Sequence, residues 1–356
     1  MKRLELKQLA PGVLENAEDF PRFSLNDAAF CVEQVSASPT KRARICMHND
    51  IKDRQQEMFI AFDGATYVRP SYHLNKDESF HMMEGYGKYV FFDDQGNPSS
   101  DIRLGPYDSD LPFYCRIPGN LPHSLIVYSD YAMAHEVTSG PFEKAATIFP
   151  AWSPELQTAA EQAAYRNYHA QRPADPVRAS QYERQTEEMC RAKPGVVSVS
   201  RADLEYLKSE VNKTARKRIR LCVHQTDNDL LHEMFVVYTG MTFVRANWHV
   251  GKDESLHILE GEADFIFFNE DGSIRDVVQL GDRTKGKNVF VRVPQGVFHT
   301  IIMRSEYLII HEATPGPFNR ADTLWADWSP LDSDALAVAA YQKELEQHVA
   351  AFLAKR

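Results

Sequence analysis

Two imidazoles and one carboxylate recur in this chain at a fixed spacing: His249, Glu254 and His299, and, 176 positions earlier, His73, Glu78 and His123. On an extended strand Arg245, Asn247 and His249 share one face, because side chains alternate with a period of two. The loop that follows returns Glu254, and P-Q-G-V-F-H brings His299 on another strand. Two His and one carboxylate converging from three strand positions make a facial ligand set with open coordination sites. Such a set suits Fe(II), Mn(II), Ni(II) or Zn(II), and the sequence does not choose among them. One divalent transition metal is expected for each competent half. Asn247 offers an amide oxygen as a weak fourth ligand, while its counterpart Ser71 offers only a hydroxyl.

His257 and His81 lie three residues after the two glutamates. On a regular strand they point away from them, as structural histidines in a sheet or interface. A bulge would turn them inward as acid–base groups, which makes them the candidate catalytic residues. His48, His224, His135 and His311 read as hydrogen-bonded core polars. Arg69 and Arg245 share the face of Ser71 and Asn247, and Arg44 and Arg220 lie on another strand face with His48 and His224. If these faces are inward, an acidic protein holds a cationic pocket that would bind a carboxylate or phosphate. The alternative is that the arginines pair with buried acids such as Glu57, Glu84, Glu233 or Glu260.

The elements that position these residues are duplicated. Ser24–Pro154 aligns on Ser200–Pro330, and ten of the 13 histidines fall into matched pairs, so the chain is one unit used twice. Each unit opens with a short helix capped by Ser24/Asp27 or Ser200/Asp203. Short runs rich in Val, Ile, Phe and Tyr then alternate with turns, the pattern of an all-β sandwich or barrel. Each unit closes, after Trp-Ser-Pro, with an Ala-rich helix over 155–170 or 332–354. We expect an N-terminal domain over 1–172, a linker over 173–195 that is partly helical at 182–191, and a C-terminal domain over 196–356. A formal net charge of −10 argues against a nucleic-acid partner. No apolar run approaches a membrane span or a signal peptide. Five cysteines without a C-x-x-C pair suggest reduced thiols in a cytoplasmic protein.

The spacing resembles the cupin superfamily, whose first motif is G-x5-H-x-H-x3-4-E-x6-G and whose second contains P-x-G-x2-H. Glu78–Gly85 and Glu254–Gly261 fit E-x6-G, and Pro294–His299 fits the second motif. Pro118–His123 fits it except at Asn120. The family's first histidine is replaced by Ser71 and Asn247, and Gly64 and Gly240 sit one residue too far out. More narrowly, each half resembles the WbuC-type cupin metalloproteins found with surface-polysaccharide genes. The marks are R-A-R-I-C-M-H, Y-V-R-P, E-S-F-H-M-M-E-G and H-E-V-T-S-G-P-F in the first half. In the second they are R-I-R-L-C-V-H, F-V-R-A, E-S-L-H-I-L-E-G and H-E-A-T-P-G-P-F. The resemblance implies two double-stranded β-helix (jelly-roll) barrels, each flanked by short helices and packed as an intramolecular pseudo-dimer, with further homodimerisation left open. It also implies a metal-binding bicupin, read as a metalloenzyme, an isomerase or epimerase or a dioxygenase; the arginine faces point to a small anionic substrate, and the family's gene context to a sugar-derived one. The alternatives are a non-catalytic sugar-binding bicupin and an Fe(II) dioxygenase.

Overall fold

The computed structural model describes residues 3–172, 177 and 181–355. In the first repeat one sheet runs in the order Leu6–Ala10, Val13–Asn16, Arg42–Cys46, Gln55–Asp63, Tyr131–Ser139, Glu78–Glu84 and Tyr114–Ile117. His123–Val127, Gly87–Phe92 and Pro98–Leu104 form the opposing sheet. The second repeat builds the same two faces. There a bridge between Leu280 and Asn288 joins them into one continuous strand path. The architecture is all-β: two jelly-roll barrels from an internal repeat, each flanked by short helices.

Strand alternation decides what enters each barrel. In Glu78–Glu84, Phe80 and Met82 join the apolar interior, whereas Met83 joins the cluster beneath the first helix. In Glu254–Glu260, Leu256 and Ile258 point in and Leu259 points out. In Tyr307–Pro315 the inward phase holds Leu308 and Ile310 and the outward phase Ile309. Glu78, Glu254 and Glu312 are therefore interior residues, and His81, His257 and His311 are exterior ones.

The opening helices span Leu25–Gln34 and Arg201–Val211, each with the expected capping box. The closing helices, Ala159–Gln171 and Ala335–Leu353, start three to four residues later than expected, at caps Thr158 and Asp334. Trp152 packs on Phe92, and Trp328 on Phe268 and on Tyr341 of the last helix.

The segment 182–191, expected to be partly helical, is instead a β-hairpin of Tyr182–Thr186 and Met189–Ala192. It repeats the hairpin Leu6–Ala10/Val13–Asn16, and its second strand lies parallel to Arg218–Cys222. Ladder pairing overrides the helix propensity of a Glu- and Arg-rich stretch. The strand before each opening helix is exchanged between barrels. Arg22–Ser24 pairs with Asn288–Val293, and Val197–Val199 with Tyr114–Ile117. Among the described residues no helix is long and apolar enough to cross a membrane. All five cysteines are buried and free.

Candidate metal centre

In the C-terminal barrel, His249 Nε2 lies 3.0 Å and His299 Nε2 lies 3.2 Å from the same oxygen of Glu254. In the N-terminal barrel, His73 Nε2 is 2.7 Å from Glu78 Oε2, and His123 Nε2 is 3.7 Å from Glu78 Oε1. In each triad the ligand atoms lie within 4.8 Å of one another. The rings are held from behind. His299 Nδ1 donates to the Val297 carbonyl at 2.9 Å and His123 Nδ1 to that of Leu121 at 2.8 Å. His249 and His73 Nδ1 meet the Thr323 and Thr147 hydroxyls at 3.2 and 3.3 Å. The carbonyls fix Nδ1–H on His299 and His123 and so present their Nε2 lone pairs to the interior, as outer-shell partners do at metal sites.

The electrostatics fit a cation. Burial alone would raise the Glu254 and Glu78 carboxyls. The facing imidazoles outweigh it and hold both below the usual range, Glu78 at about 2. Conversely, burial lowers the imidazole values, but Glu254 and Glu78 lift His249 and His73 above normal. Two nitrogens and a carboxylate turned toward one point need a proton or a metal ion between them. Two His and one carboxylate fit a divalent transition metal, with His249, Glu254 and His299, or His73, Glu78 and His123, as its ligands.

The second triad sits in a cavity of about 200 Å³ whose lining includes Asn247, Arg218, Arg220 and Glu312. Asn247 Nδ2 donates to the Arg245 carbonyl at 3.1 Å, which leaves its oxygen as the remaining ligand atom. Glu312 was not singled out from the sequence, although His-Glu recurs at 135–136 and 311–312 and alternation alone places the glutamate inside. Burial first, and the charge of Glu254 second, raise its carboxyl to about 8. Glu136 is raised likewise, to about 7. A cation on the triad would offset the Glu254 contribution and leave the burial.

The two barrels differ at matched positions. Tyr89 hydrogen-bonds Glu78 and contacts His123, where Phe265 stacks on His299 at 5.5 Å. Asn120, the departure from the second motif, adopts φ 67° where Gly296 adopts φ 76°. Asn tolerates this left-handed conformation, so the loop keeps its course.

Two pairs of candidate residues stand away from the cavity, the histidines on the outward strand phase that regular alternation gives them. Arg69 and Arg245 do not offer free guanidiniums to a ligand. Arg245 donates to the Ser329 and Ala326 carbonyls at 3.1 and 2.9 Å. Arg69 binds Ser153 and pairs with Glu155 at 3.3 Å. Both clasp the tail of their repeat onto the barrel. Arg220 does line the cavity, and its charge acts on Glu312, as that of Arg44 acts on Glu136. His257 and His81 stand on the outward strand phase, 3% and 2% exposed, between the barrels rather than in the cavity. The strand irregularities at 258–260 and at Met82/Glu84 come after them, too late to turn them inward. Glu57 and Glu233 pair across the interface, with Arg292 at 3.1 Å and Arg116 at 2.7 Å.

A family model described as a domain of unknown function (DUF6016) matches residues 26–104 and 199–280, nearly the same stretch of each repeat. No curated protein matches the chain. Among solved structures, salicylate 1,2-dioxygenase from Pseudaminobacter salicylatoxidans is similar at 12% identity and a TM-score of 0.54. The match covers 84% of this chain and 83% of that one. A mutant of that enzyme in complex with gentisate gives 10% identity and a TM-score of 0.58, over 83% and 81%. A mutant of the Bacillus subtilis oxalate decarboxylase gives 14% identity, over 77% and 72%, with a TM-score of 0.41. At such identities the dioxygenase likeness establishes the fold alone, the bicupin fold.

Proposed function

We propose that the C-terminal barrel is the working centre of a metal-dependent enzyme that moves a proton on a small anionic substrate, of the isomerase or epimerase type. The observation that carries this is the convergence of His249 and His299 on one Glu254 oxygen, in a cavity that also holds Glu312 and an arginine rim. A divalent metal bound there supplies Lewis acidity for a substrate carbonyl or hydroxyl. Arg220 and Arg218 hold the substrate's carboxylate or phosphate at the mouth. Glu312 takes and returns the proton, since a buried carboxyl with a raised pKa is matched to exchange near neutral pH. The resemblance to WbuC-type cupins supports a sugar-derived substrate, and the buried free cysteines support a cytoplasmic setting. The N-terminal barrel, with Ser71 in place of Asn247 and a wider His123–Glu78 distance of 3.7 Å, holds a weaker site.

A second reading, an Fe(II) dioxygenase, is favoured by the two-His, one-carboxylate set itself, which leaves room for O₂ and substrate on one ion. The two separate in one experiment. Chain loaded with Mn(II), Zn(II), Ni(II) or Fe(II) is incubated in D₂O with sugar acids and sugar phosphates. Metal-dependent deuterium incorporation without O₂ uptake, lost in Glu254→Ala, is the expected result. O₂ uptake only with Fe(II) would replace it by the dioxygenase. Neither activity with any metal, while sugar acids still raise the melting temperature, would leave a binding protein.

A further inference from the structure

The residues that leave the barrel interiors by strand alternation meet each other. His81, His135 and His257 form a third group whose ligand atoms lie within 4.8 Å of one another, and His311 borders it. All four are at most 3% exposed. They lie where the two repeats face one another, so this group exists only in the paired arrangement. We propose that it is a metal site, an inter-barrel clamp that takes one Zn(II) through His81, His135 and His257.

Four observations carry the proposal. First, the tautomers suit it. His135 Nε2 is 2.8 Å from Glu57 and His311 Nε2 is 3.2 Å from Glu233. The carboxylate behind each ring accepts from Nε2–H and leaves Nδ1 with its lone pair, which on His135 faces His257, the outer-shell pattern of histidine–zinc sites. Second, the distances suit it. His135 Nδ1 and His257 Nδ1 are 3.3 Å apart, and two nitrogens about 2.0–2.1 Å from a tetrahedral zinc lie roughly 3.3–3.4 Å apart. The His81 and His257 rings are 4.6 Å apart between centroids. Third, His81 Nδ1 and His311 Nδ1 are buried without a hydrogen-bond partner among the described residues. A buried, unsatisfied ring nitrogen is costly and calls for a partner.

Fourth, charge and access suit it. Arg116 meets Asp77, Asp229 and Glu233, and Arg292 meets Asp53, Glu57 and Asp253. Each guanidinium therefore faces three carboxylates. A cavity of about 210 Å³ between the barrels is lined by His81 and His257 and by Glu84, Asp108, Glu260 and Asp282, with Arg201 and Arg283 among them. It borders the cluster and gives an ion access to it.

The test uses the full chain loaded with Zn(II). A crystallographic anomalous difference map at the zinc edge is expected to show a peak among His81, His135 and His257, whatever the barrel triads hold. Peaks at the triads alone, or none, would overturn the proposal, with the Nδ1–Nδ1 contact then an ordinary hydrogen bond. In solution, His73→Ala, His123→Ala, His249→Ala and His299→Ala combined should retain one equivalent of zinc. Adding His81→Phe and His257→Phe should remove it. No zinc in the fourfold variant would sink the idea even if the sixfold variant does not fold. Failure of the barrel metal reading would appear separately, as an unchanged zinc content in the fourfold variant.

Discussion

At the scale of the residue, each triad depends on what stands behind its rings. Thr323 faces His249 Nδ1 at 3.2 Å, outside the ligand set. Thr323→Val should weaken metal binding about 10–100-fold without altering the fold, as loss of an outer-shell partner does, measured by competition with a chelator dye. Glu312 has the complementary signature. Glu312→Gln should keep the metal and lower deuterium exchange about 10²–10⁴-fold, the usual contribution of a positioned acid–base group. A Glu312→Gln protein that exchanges at the wild-type rate would remove the residue from the mechanism. Glu312 was legible in principle, because it follows His311 on a strand whose alternation is plain. The histidine beside it is the more conspicuous chemical signal, and it belongs to the opposite face of the strand. The guanidiniums of Arg69 and Arg245 were not legible, since the carbonyls that hold them lie 81 to 84 residues further along the chain.

At the scale of the element, the turn after each glutamate strand fixes where the ligands sit. Gly261 has φ 90°, and an added Cβ would stand 2.2 Å from the Tyr307 carbonyl oxygen. Gly261→Ala should therefore destabilise by at least about 1–3 kcal/mol. Asn120→Gly, at a position already left-handed, should change stability by no more than about 1 kcal/mol. Urea unfolding checks both. The capping boxes and the Trp-Ser-Pro closures were readable because they are local patterns. The hairpin at 182–191 was not, because its strands are specified by pairing with Arg218–Cys222 and not by their own composition.

At the scale of the whole molecule, the barrels are joined by exchanged strands and by buried charge. Glu57→Leu would strip a carboxylate from Arg292 and His135 at once and should cost about 3–5 kcal/mol, the penalty for breaking a buried pair. Glu233 adds a pH dependence. Burial raises its carboxyl, but His311, Arg116 and Ser79 together pull it down to about 2. A depressed acid stabilises the fold fully above its ordinary value near 4.5 and loses that contribution as pH falls toward about 2. Melting temperatures of wild type and Glu233→Gln should therefore converge over that window. The duplication made the two-barrel plan readable from the chain. What the outward histidines do was not, because their neighbours belong to the other repeat.

The most direct measurement is metal content by mass spectrometry of untagged protein, for wild type, His299→Ala and His123→Ala. We expect His299→Ala to lose one equivalent that wild type carries, and His123→Ala to lose less, in line with a working centre in the C-terminal barrel and a weaker site in the other. Equal metal content in wild type and His299→Ala, under conditions that load the protein, would contradict a metal centre at His249, Glu254 and His299.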